Sequence, residues 1–398
     1  MRRWKHNEGI LNFPKYCMIA MGMWRLNLPT QNKILTKFYI IYSCLIQIYY
    51  PVFWTSLFVK FVIVMIDKNS NKSMEEWFKD LSYVVGFLII MMSSQFWQKK
   101  DSVRNILYVI EEENVLLRSR DEELLKCHLE LVQFSRLMNY VFLCIAVGAG
   151  VSVMSETFRR RNEVEKYNKK YNGTLEKPYA FDLFFLFDFD KEQYSSLLLI
   201  VDGISCLLTD IMGISSKIMF ISCIIFACSS LQRLQIKCRK MTLYETDLFD
   251  ALSHLIRENQ QIIRFVQNLN HSIKYLILVE YLLTSLNIAA VSIQVMLFNS
   301  TRASALFFLS YLFSQILILG WSANEIKMQS LGIADAIYDS PWYDQSDAVK
   351  KTVLFIIMRA QRPLQLTIGP FNGMTTETAV TILKASYSYI TLMRTEYV

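Results

Sequence analysis

Six long stretches of the chain carry no Asp, Glu, Lys or Arg, and they restrict its possible folds more than any other feature. The stretches are Phe38–Val59, Leu81–Gln98, Leu137–Ser155, Ile218–Gln232, Tyr281–Thr301 and Ala303–Asn324. One bilayer crossing by a helix needs about 18–20 predominantly apolar residues, and most of the stretches reach that length. The fourth becomes a full crossing if 195–216 is added, which places Asp202 and Asp210 inside the helix. Two soluble domains, the ordinary expectation for a chain of this length, would not contain six such stretches.

A seventh crossing is predicted near the C-terminus, where the sequence from Thr376 to Arg394 is TETAVTILKASYSYITLMR. The first six spans are expected at about 34–66, 77–98, 136–156, 194–231, 275–300 and 303–326. The chain has 53% hydrophobic and 19% charged residues, whereas a soluble domain has about 25% charged residues. We therefore predict an all-α, polytopic protein with seven transmembrane helices that forms one domain over 1–398.

The placement of Lys and Arg predicts the orientation, because cytoplasmic connections are enriched in these residues. With the N-terminus inside, the inner connections hold 25 Lys and Arg and the outer connections hold 12. The C-terminus is then outside. The long outer connection 156–192 contains the sequon Asn172-Gly173-Thr174, so Asn172 is a candidate for glycosylation.

Three segments on the predicted cytoplasmic side have apolar residues at helical spacing and charges on the opposite face. They are 105–136, 243–274 and 347–361. This pattern is typical of amphipathic helices that pack against a partner surface. We expect them to form a helical base beneath the membrane, packed against the chain itself or against neighbouring subunits.

The sequence gives no indication of an enzyme, a metal site, a cofactor site or a nucleic-acid partner. HExxH, GxSxG and phosphate-loop patterns are absent, and the eight cysteines have no metal-ligand spacing. The four histidines are expected on surfaces or helix faces. Asp202 and Asp210 leave two interpretations open: they bind a cation or protons, or, the interpretation we favour, they form structural pairs with Lys217 or a neighbouring helix.

The last predicted span carries a polar stripe, formed by Glu377, Thr381, Lys384, Ser388 and Thr391. Steps of four and three residues keep a stripe on one helix face, and the opposite flank would hold Val380, Leu383, Tyr387 and Ile390. Lipid cannot satisfy polar groups, so the stripe faces either other helices of the bundle or a water-filled pathway. Leu392 lies one turn beyond Ser388, where an apolar side chain can close a pore by dewetting.

A pocket for a small molecule is also predicted. The outer halves of spans two, three, four and six would combine apolar volume with a few hydroxyls, the usual lining of a ligand site. The candidate lining residues are Tyr83, Val84, Phe87, Val151, Met154, Leu207, Leu208, Phe308, Tyr311 and Leu312.

The sequence after the sixth span resembles the C-terminal signature of the insect odorant receptors. The matching pieces are Ala336-Ile337-Tyr338, Trp342, the stretch MRAQRP from Met358 to Pro363, Gly369 and the stretch KASYSY from Lys384 to Tyr389. The specific match covers about 70 residues, and the seven-span topology matches throughout. Asn259 departs from the pattern, since many members have His there.

The resemblance implies a ligand-gated, non-selective cation channel of four subunits. A small, volatile, mostly apolar odorant would bind in the outer half of the spans at 34–326. The region 327–398 would supply an intersubunit anchor and the pore-lining last helix, with Leu392 as the gate, and Lys384 facing either the pore or a subunit contact. The short connection between spans four and five is similar to that of a tuning subunit, which acts with a coreceptor in the plasma membrane of the sensory dendrite.

Three alternatives share parts of this pattern. A gustatory receptor has the same architecture but a different closing motif. A G-protein-coupled receptor would have its N-terminus outside, against the charge bias. A transporter would be consistent with Asp202 and Asp210, but internal repeats or broken helices are expected of it and are absent from the sequence.

Overall fold

The computed structural model describes residues 9–24, 26, 33–67, 74–119, 121–171, 177–181, 183–184, 194–240, 248–297 and 302–397. The helices among them are α1 Asn12–Ala20, α2 Lys33–Ile66, α3 Met74–Trp97, α4 Lys100–Arg118, α5 Glu122–Tyr171, α6 Ser195–Arg239, α7 Leu248–Leu297, α8 Arg302–Tyr338, α9 Asp347–Ala360 and α10 Thr376–Tyr397, with a short 3-10 turn at Trp342–Asp344. The all-α prediction is confirmed. The strands of the described part are two residues each, β1 Thr367–Ile368 and β2 Asn372–Gly373.

Six of the described helices are long and apolar enough to cross a bilayer, namely α2, α3, α5, α6, α7 and α8. They correspond to the six predicted spans. α10 follows with 22 residues, which at 1.5 Å per residue is enough for a crossing. Its polar stripe makes it less apolar than the others.

α6 is the centre of the bundle. It contacts α1, α3, α5, α7 and α8, and 94% of its most apolar segment is buried. Small residues such as Ser215, Ser222, Ala227 and Ser229 are fully buried along it, and small side chains let neighbouring helices approach closely. α2 is the contrasting case, because only 17% of its most apolar segment is buried and its apolar side chains are left for lipid.

Two helices are longer than the sequence suggests. The amphipathic sequence predicted on the cytoplasmic side continues, from Glu122 and Leu248 onward, into spans three and five, and so α5 and α7 have 50 residues each. No Pro lies at either junction to end the helix. The break instead falls before α5, where Asp121 Oδ1 accepts the backbone N–H groups of Glu123 and Leu124 at 3.2 Å, a helix N-cap.

The N-terminal segment is held by a buried polar contact on the predicted cytoplasmic side. Glu113 Oε1 accepts the backbone N–H of Ile10 at 2.8 Å and lies 2.9 Å from His128 Nε2. His128 Nδ1 lies 2.9 Å from Ser229 Oγ. His128 is therefore a buried group that joins α4, α5 and α6, and the prediction of a surface position does not hold for it.

The hairpin of β1 and β2 precedes α10 and docks on α7. The backbone N–H of Thr367 donates to Asn270 Oδ1 at 2.8 Å, and that of Gly369 donates to the Lys274 carbonyl at 2.9 Å. Gly369 has φ of 59°, a conformation that costs glycine little. These bonds fix the start of α10 relative to the bundle.

Candidate functional site

An internal cavity lies in the bundle between α3, α5, α6, α7 and α8. Its volume is about 80 Å³. Its wall is mainly apolar, and the aromatic part of it is formed by Tyr83, Phe87, Phe181, Phe308 and Tyr311. A mostly apolar enclosure with a few polar groups is the usual form of a small-molecule site.

Five of the ten predicted pocket residues line this cavity. They are Tyr83 and Phe87 on α3 and Phe308, Tyr311 and Leu312 on α8. Tyr311 stacks on Phe142 of α5 with ring centroids 5.7 Å apart. The structure therefore brings together the α3 and α8 parts of the predicted set.

The other five predicted residues lie elsewhere. Val84 is buried in the apolar cluster beside the cavity, and Met154 packs against that cluster. Leu208 packs against the main core. Val151 and Leu207 are more than half exposed on the outside of the bundle. Each is one position from a lining residue, Gly150 or Cys206, and one residue along a helix turns the side chain by about 100°, so we leave both out of the proposed site.

Phe181 is a lining residue that sequence reasoning missed. It lies outside the helices, in the connection between α5 and α6, and is 5% exposed. Its ring makes edge contacts with Phe53, Tyr83 and Phe87, with centroid distances of 5.3–5.5 Å. Asp202 Oδ2 accepts the backbone N–H of the preceding Ala180 at 3.0 Å. In the sequence, the only sign that this connection packs into the bundle was Asp202, a charged residue inside a predicted span.

Polar groups form another part of the cavity wall. The ammonium of Lys217 donates to Glu280 Oε1, and Gln315 Nε2 donates to the same oxygen at 2.8 Å. Lys217, Gln315, Asp210 and Asn287 all line the cavity. Lys217 was predicted as a possible partner of Asp202 or Asp210, but the structure pairs it with Glu280, because Glu280 of α7 and Lys217 of α6 are buried against each other.

Asp210 lies where α5 comes closest to α6. Its Oδ2 is 3.9 Å from Cys206 Sγ, and a Cβ added to Gly150 would lie 1.7 Å from the same oxygen. The absence of a side chain at Gly150 therefore makes the space for this carboxylate.

A second, polar cavity of about 340 Å³ adjoins the first at the predicted outer end. The two share Tyr83, Phe308, Ser82 and Val153 in their walls. The charged residues of the outer cavity are Glu76, Lys79, Asp80, Glu156, Arg160 and Lys177. Partial burial lowers the pKa of Arg160, while the nearby Glu163 opposes that shift. A small molecule entering from this end would pass a polar mouth before reaching the apolar cavity.

The stripe on α10 faces away from the rest of the chain. Thr381, Lys384, Ser388 and Thr391 are all exposed. The buried face of α10 instead consists of Ala379 and Ser386, flanked by Ile382 and Leu383. Val380 and Tyr387, predicted on the flank opposite the stripe, are exposed as well. The stripe therefore makes no interhelical hydrogen bonds within the described part of this chain.

The hydroxyls of the stripe bond to their own helix. Thr381 donates to the Glu377 carbonyl at 3.0 Å, Ser388 to Lys384 at 3.3 Å and Thr391 to Tyr387 at 3.0 Å. The side chain of Leu392 and the whole of Asn172 lie outside the part of the chain that the structure describes.

Comparison with known proteins assigns the family. A family model described as "7tm Odorant receptor" matches residues 73–387. The chain belongs to the odorant receptor family. The resemblance seen in its C-terminal motifs is thereby confirmed, and the chain is a multi-pass membrane protein.

The family relatives include proteins of mosquitoes and flies. Odorant receptor 10 of Aedes albopictus is 38% identical over 146 residues, which are 36% of this chain and 39% of the relative. Odorant receptor Or2 of Anopheles gambiae is 37% identical over 153 residues, 38% of this chain and 40% of the relative. These matches span about two fifths of the relatives' length.

Solved structures of the olfactory receptor OR5 from Machilis hrabei have the same fold. One superposes with a TM-score of 0.79 at 16% identity and covers 96% of this chain and 97% of that one. A second, in complex with eugenol, gives a TM-score of 0.71 at 17% identity and covers 97% of each chain. The odorant receptor fold therefore extends over nearly the whole molecule.

Proposed function

We propose that the chain is the odorant-binding subunit of a ligand-gated, non-selective cation channel in the plasma membrane. The observation that carries this proposal is the aromatic-lined cavity within the helix bundle, which adjoins a polar mouth at the predicted outer end. Such a cavity suits a small, volatile, mostly apolar ligand. Family membership supports the same conclusion, since the structure of OR5 from Machilis hrabei was solved with eugenol.

α8 connects the cavity to α10, because it lines the first and contacts the second. Its Tyr311 and Leu312 line the cavity. Two turns further along, a Cβ added to Gly320 would lie 2.8 Å from Ala379 Cβ of α10 and 3.2 Å from the Thr375 carbonyl oxygen. A ligand that favours one position of α8 therefore shifts the start of α10, and it does so only through its higher affinity for that arrangement.

The exposed stripe of α10 is the proposed wall of the ion pathway, shared among the α10 helices of several subunits. The stripe hydroxyls donate to backbone carbonyls of their own helix. They can therefore present polar oxygen to water while the helix stays intact. In this arrangement α10 moves outward on opening and Leu392 leaves the axis. The ammonium of Lys384 repels cations if it faces that axis, and so we place it toward a subunit contact.

We further propose that the chain is a tuning subunit that assembles with coreceptor subunits into a tetramer in sensory dendrites. Its connection between α6 and α7 is short, from Lys240 to Leu248. The α8 to α9 region offers the surface for assembly, because Tyr338, Tyr343, Phe355 and Met358 are each more than 60% exposed there. Exposed apolar patches of this kind mark protein interaction sites.

The test is electrical. Cells expressing this chain with an insect odorant coreceptor, and cells expressing the coreceptor alone, are exposed to a panel of volatile compounds under voltage clamp. We expect ligand-evoked cation currents that need this chain and whose active compounds it determines. Currents with identical ligand dependence in both cell types would refute the proposal.

A matched pair of variants tests the cavity. Phe308 lines it, whereas the adjacent Phe307 is 56% exposed on the outer face of α8. Phe308→Ala is expected to raise the half-maximal ligand concentration about tenfold or more, a loss of ~1.4 kcal/mol of binding free energy. Phe307→Ala is expected to leave it unchanged, and equal effects of the two substitutions would contradict the assignment.

A further inference from the structure

One face of α7 carries a row of buried polar groups that the described residues leave without hydrogen-bond partners. Glu280 Oε2, Thr284 Oγ1, both polar atoms of Asn287 and Gln294 Nε2 have no hydrogen-bond partner among the described residues. Spacings of four, three and seven residues keep them on one face. Gln294 lines the polar mouth and Asn287 lines the inner cavity. An unpaired polar group inside a membrane protein is costly, so this row indicates where polar atoms of a ligand or solvent bind.

Asn287 is the member of the row that a ligand in the inner cavity meets. Its side chain is 1% exposed, and neither Nδ2 nor Oδ1 has a partner among the described residues. It faces α3 at a glycine, since a Cβ added to Gly86 would lie 3.6 Å from Nδ2. No α3 side chain at that position can fill the space beside the amide.

The charged groups of the cavity and Gln315 already have partners or lie against another helix. Glu280 holds Lys217, and Gln315 bonds to the same carboxylate. Asp210 is directed at the contact between α5 and α6, beside Cys206 and Gly150. Ser93 Oγ of α3 also lines the cavity without a partner among the described residues, so the carboxamide of Asn287 carries two of the three such atoms in the cavity wall.

A carboxamide distinguishes between ligand groups because it has both a hydrogen-bond donor and a hydrogen-bond acceptor. Its NH2 donates and its oxygen accepts, so a hydroxyl can satisfy both ends at once. An aldehyde or ketone satisfies the donor only, and a hydrocarbon satisfies neither. The rest of the wall, with Phe87, Phe181, Ile90 and Leu312, requires an apolar body.

We propose that the inner cavity selects compact, mainly apolar alcohols, with the hydroxyl bound to Asn287 and the apolar body against the aromatic rings. Asn287 is then a specificity-determining residue. This inference deepens the proposed function and rests on it for its biological meaning, but it can be tested by binding alone.

The binding test uses the full-length chain purified in detergent, and it measures the shift in melting temperature as a function of ligand concentration. The probes form two matched series: benzyl alcohol, benzaldehyde, ethylbenzene and benzylamine, and the corresponding six-carbon alcohol, aldehyde, alkane and amine. We expect apparent affinity to fall from alcohol to aldehyde to hydrocarbon, with a gap of about tenfold between the alcohol and the hydrocarbon. Hydrocarbons that bind as tightly as alcohols, amines that bind most tightly, or no shift with any probe would overturn the proposal.

Variants of Asn287 test whether this residue causes the difference in affinity between alcohol and hydrocarbon. Asn287→Leu keeps the number and branching of the side-chain heavy atoms and has no hydrogen-bonding group, so we expect the gap between alcohol and hydrocarbon to disappear while hydrocarbon binding is kept. Asn268→Leu makes the same change at an exposed position of α7 and should preserve the gap. If Asn287→Leu does not fold, Asn287→Ser retains one hydroxyl and should give an intermediate gap. A gap unchanged in Asn287→Leu, or in Asn287→Ser where only that variant folds, would overturn the assignment.

Currents from the complex with the coreceptor separate the two proposals. Alcohols that shift the melting temperature but evoke no current would refute the channel function and leave the alcohol selectivity intact. Currents evoked equally by alcohols and hydrocarbons would overturn the selectivity and leave the channel function intact.

Discussion

Single side chains decide the shape of the cavity in ways that sequence patterns show only in part. Phe87 and Tyr311 could be predicted as lining residues because they lie in the outer halves of apolar spans. Asn287 and Phe181 could not be singled out. The first lies among apolar residues of the fifth span, and the second lies in a connection. Their roles depend on which helix faces meet, and periodicity within one helix does not give that information.

Gly150 offers a test of the contact between α5 and α6. A Cβ in Gly150→Ala would lie 1.7 Å from Asp210 Oδ2, so the carboxylate must rotate out of its place and toward the cavity. We expect the half-maximal ligand concentration to rise about tenfold or more, measured from concentration–response curves. Gly148→Ala is the control, since a Cβ there has nothing within 4 Å, and a matching shift in that variant would contradict the expectation.

Phe181 offers a test of the connection between α5 and α6. Phe181→Ala removes a ring that contacts Phe53, Tyr83 and Phe87 and so enlarges the cavity. We expect compact ligands to lose potency about tenfold or more and bulkier homologues to gain relative to them, measured with a ligand series of increasing size. The control is Phe158→Ala, at an exposed ring near the outer end of α5. An unchanged size preference in Phe181→Ala would refute the role of the ring.

The helices themselves were largely predictable, and their ends were not. Charge-free stretches gave all six long spans, because the hydrophobic requirement of a bilayer is severe. The fusion of cytoplasmic and membrane segments into α5 and α7 was missed, since a change from amphipathic to apolar composition does not interrupt backbone hydrogen bonding. The polar stripe of α10 follows from helical spacing, but which other residues of α10 are buried does not, since Val380 and Tyr387 are exposed and Ala379 and Ser386 are buried.

α10 yields a prediction about water access. In a channel complex with the coreceptor, Ser388→Cys should react with a water-soluble thiol reagent and lose most of its ligand-evoked current. Ser386→Cys should not react, because Ser386 is 1% exposed and its hydroxyl donates to the Ile382 carbonyl. The parent chain measures the background from its own cysteines. Protection of Ser388→Cys, or equal modification of both variants, would place the ion pathway elsewhere.

We propose that the whole chain is one subunit of a larger assembly. Its polar stripe on α10 and its apolar surface on α8 and α9 both face away from its own core. A single chain leaves both surfaces unexplained, whereas several chains around an axis explain them together. Amphipathic patterns in the sequence predicted that such surfaces exist, but they could not say which would be covered within the chain.

Assembly can be weakened without touching the cavity. Phe355 on α9 is 71% exposed, and Phe355→Glu places a charge in the proposed subunit contact. We expect several-fold less coreceptor to co-purify with this variant at equal expression. Ala348→Glu introduces the same residue at another exposed position of α9 and should assemble normally. Undiminished co-purification of Phe355→Glu would remove this surface from the contact.

Phe181 reaches the cavity from residues 177–181, which are described and belong to no helix. A substitution or a change of length in that stretch changes the cavity volume available to an odorant. The helices meanwhile keep their packing, and α8 keeps its contact with α10. Receptors with this fold can therefore diverge in the ligands that they detect through changes in a connection, where changes in length are best tolerated. The proposed ion pathway is then left unchanged.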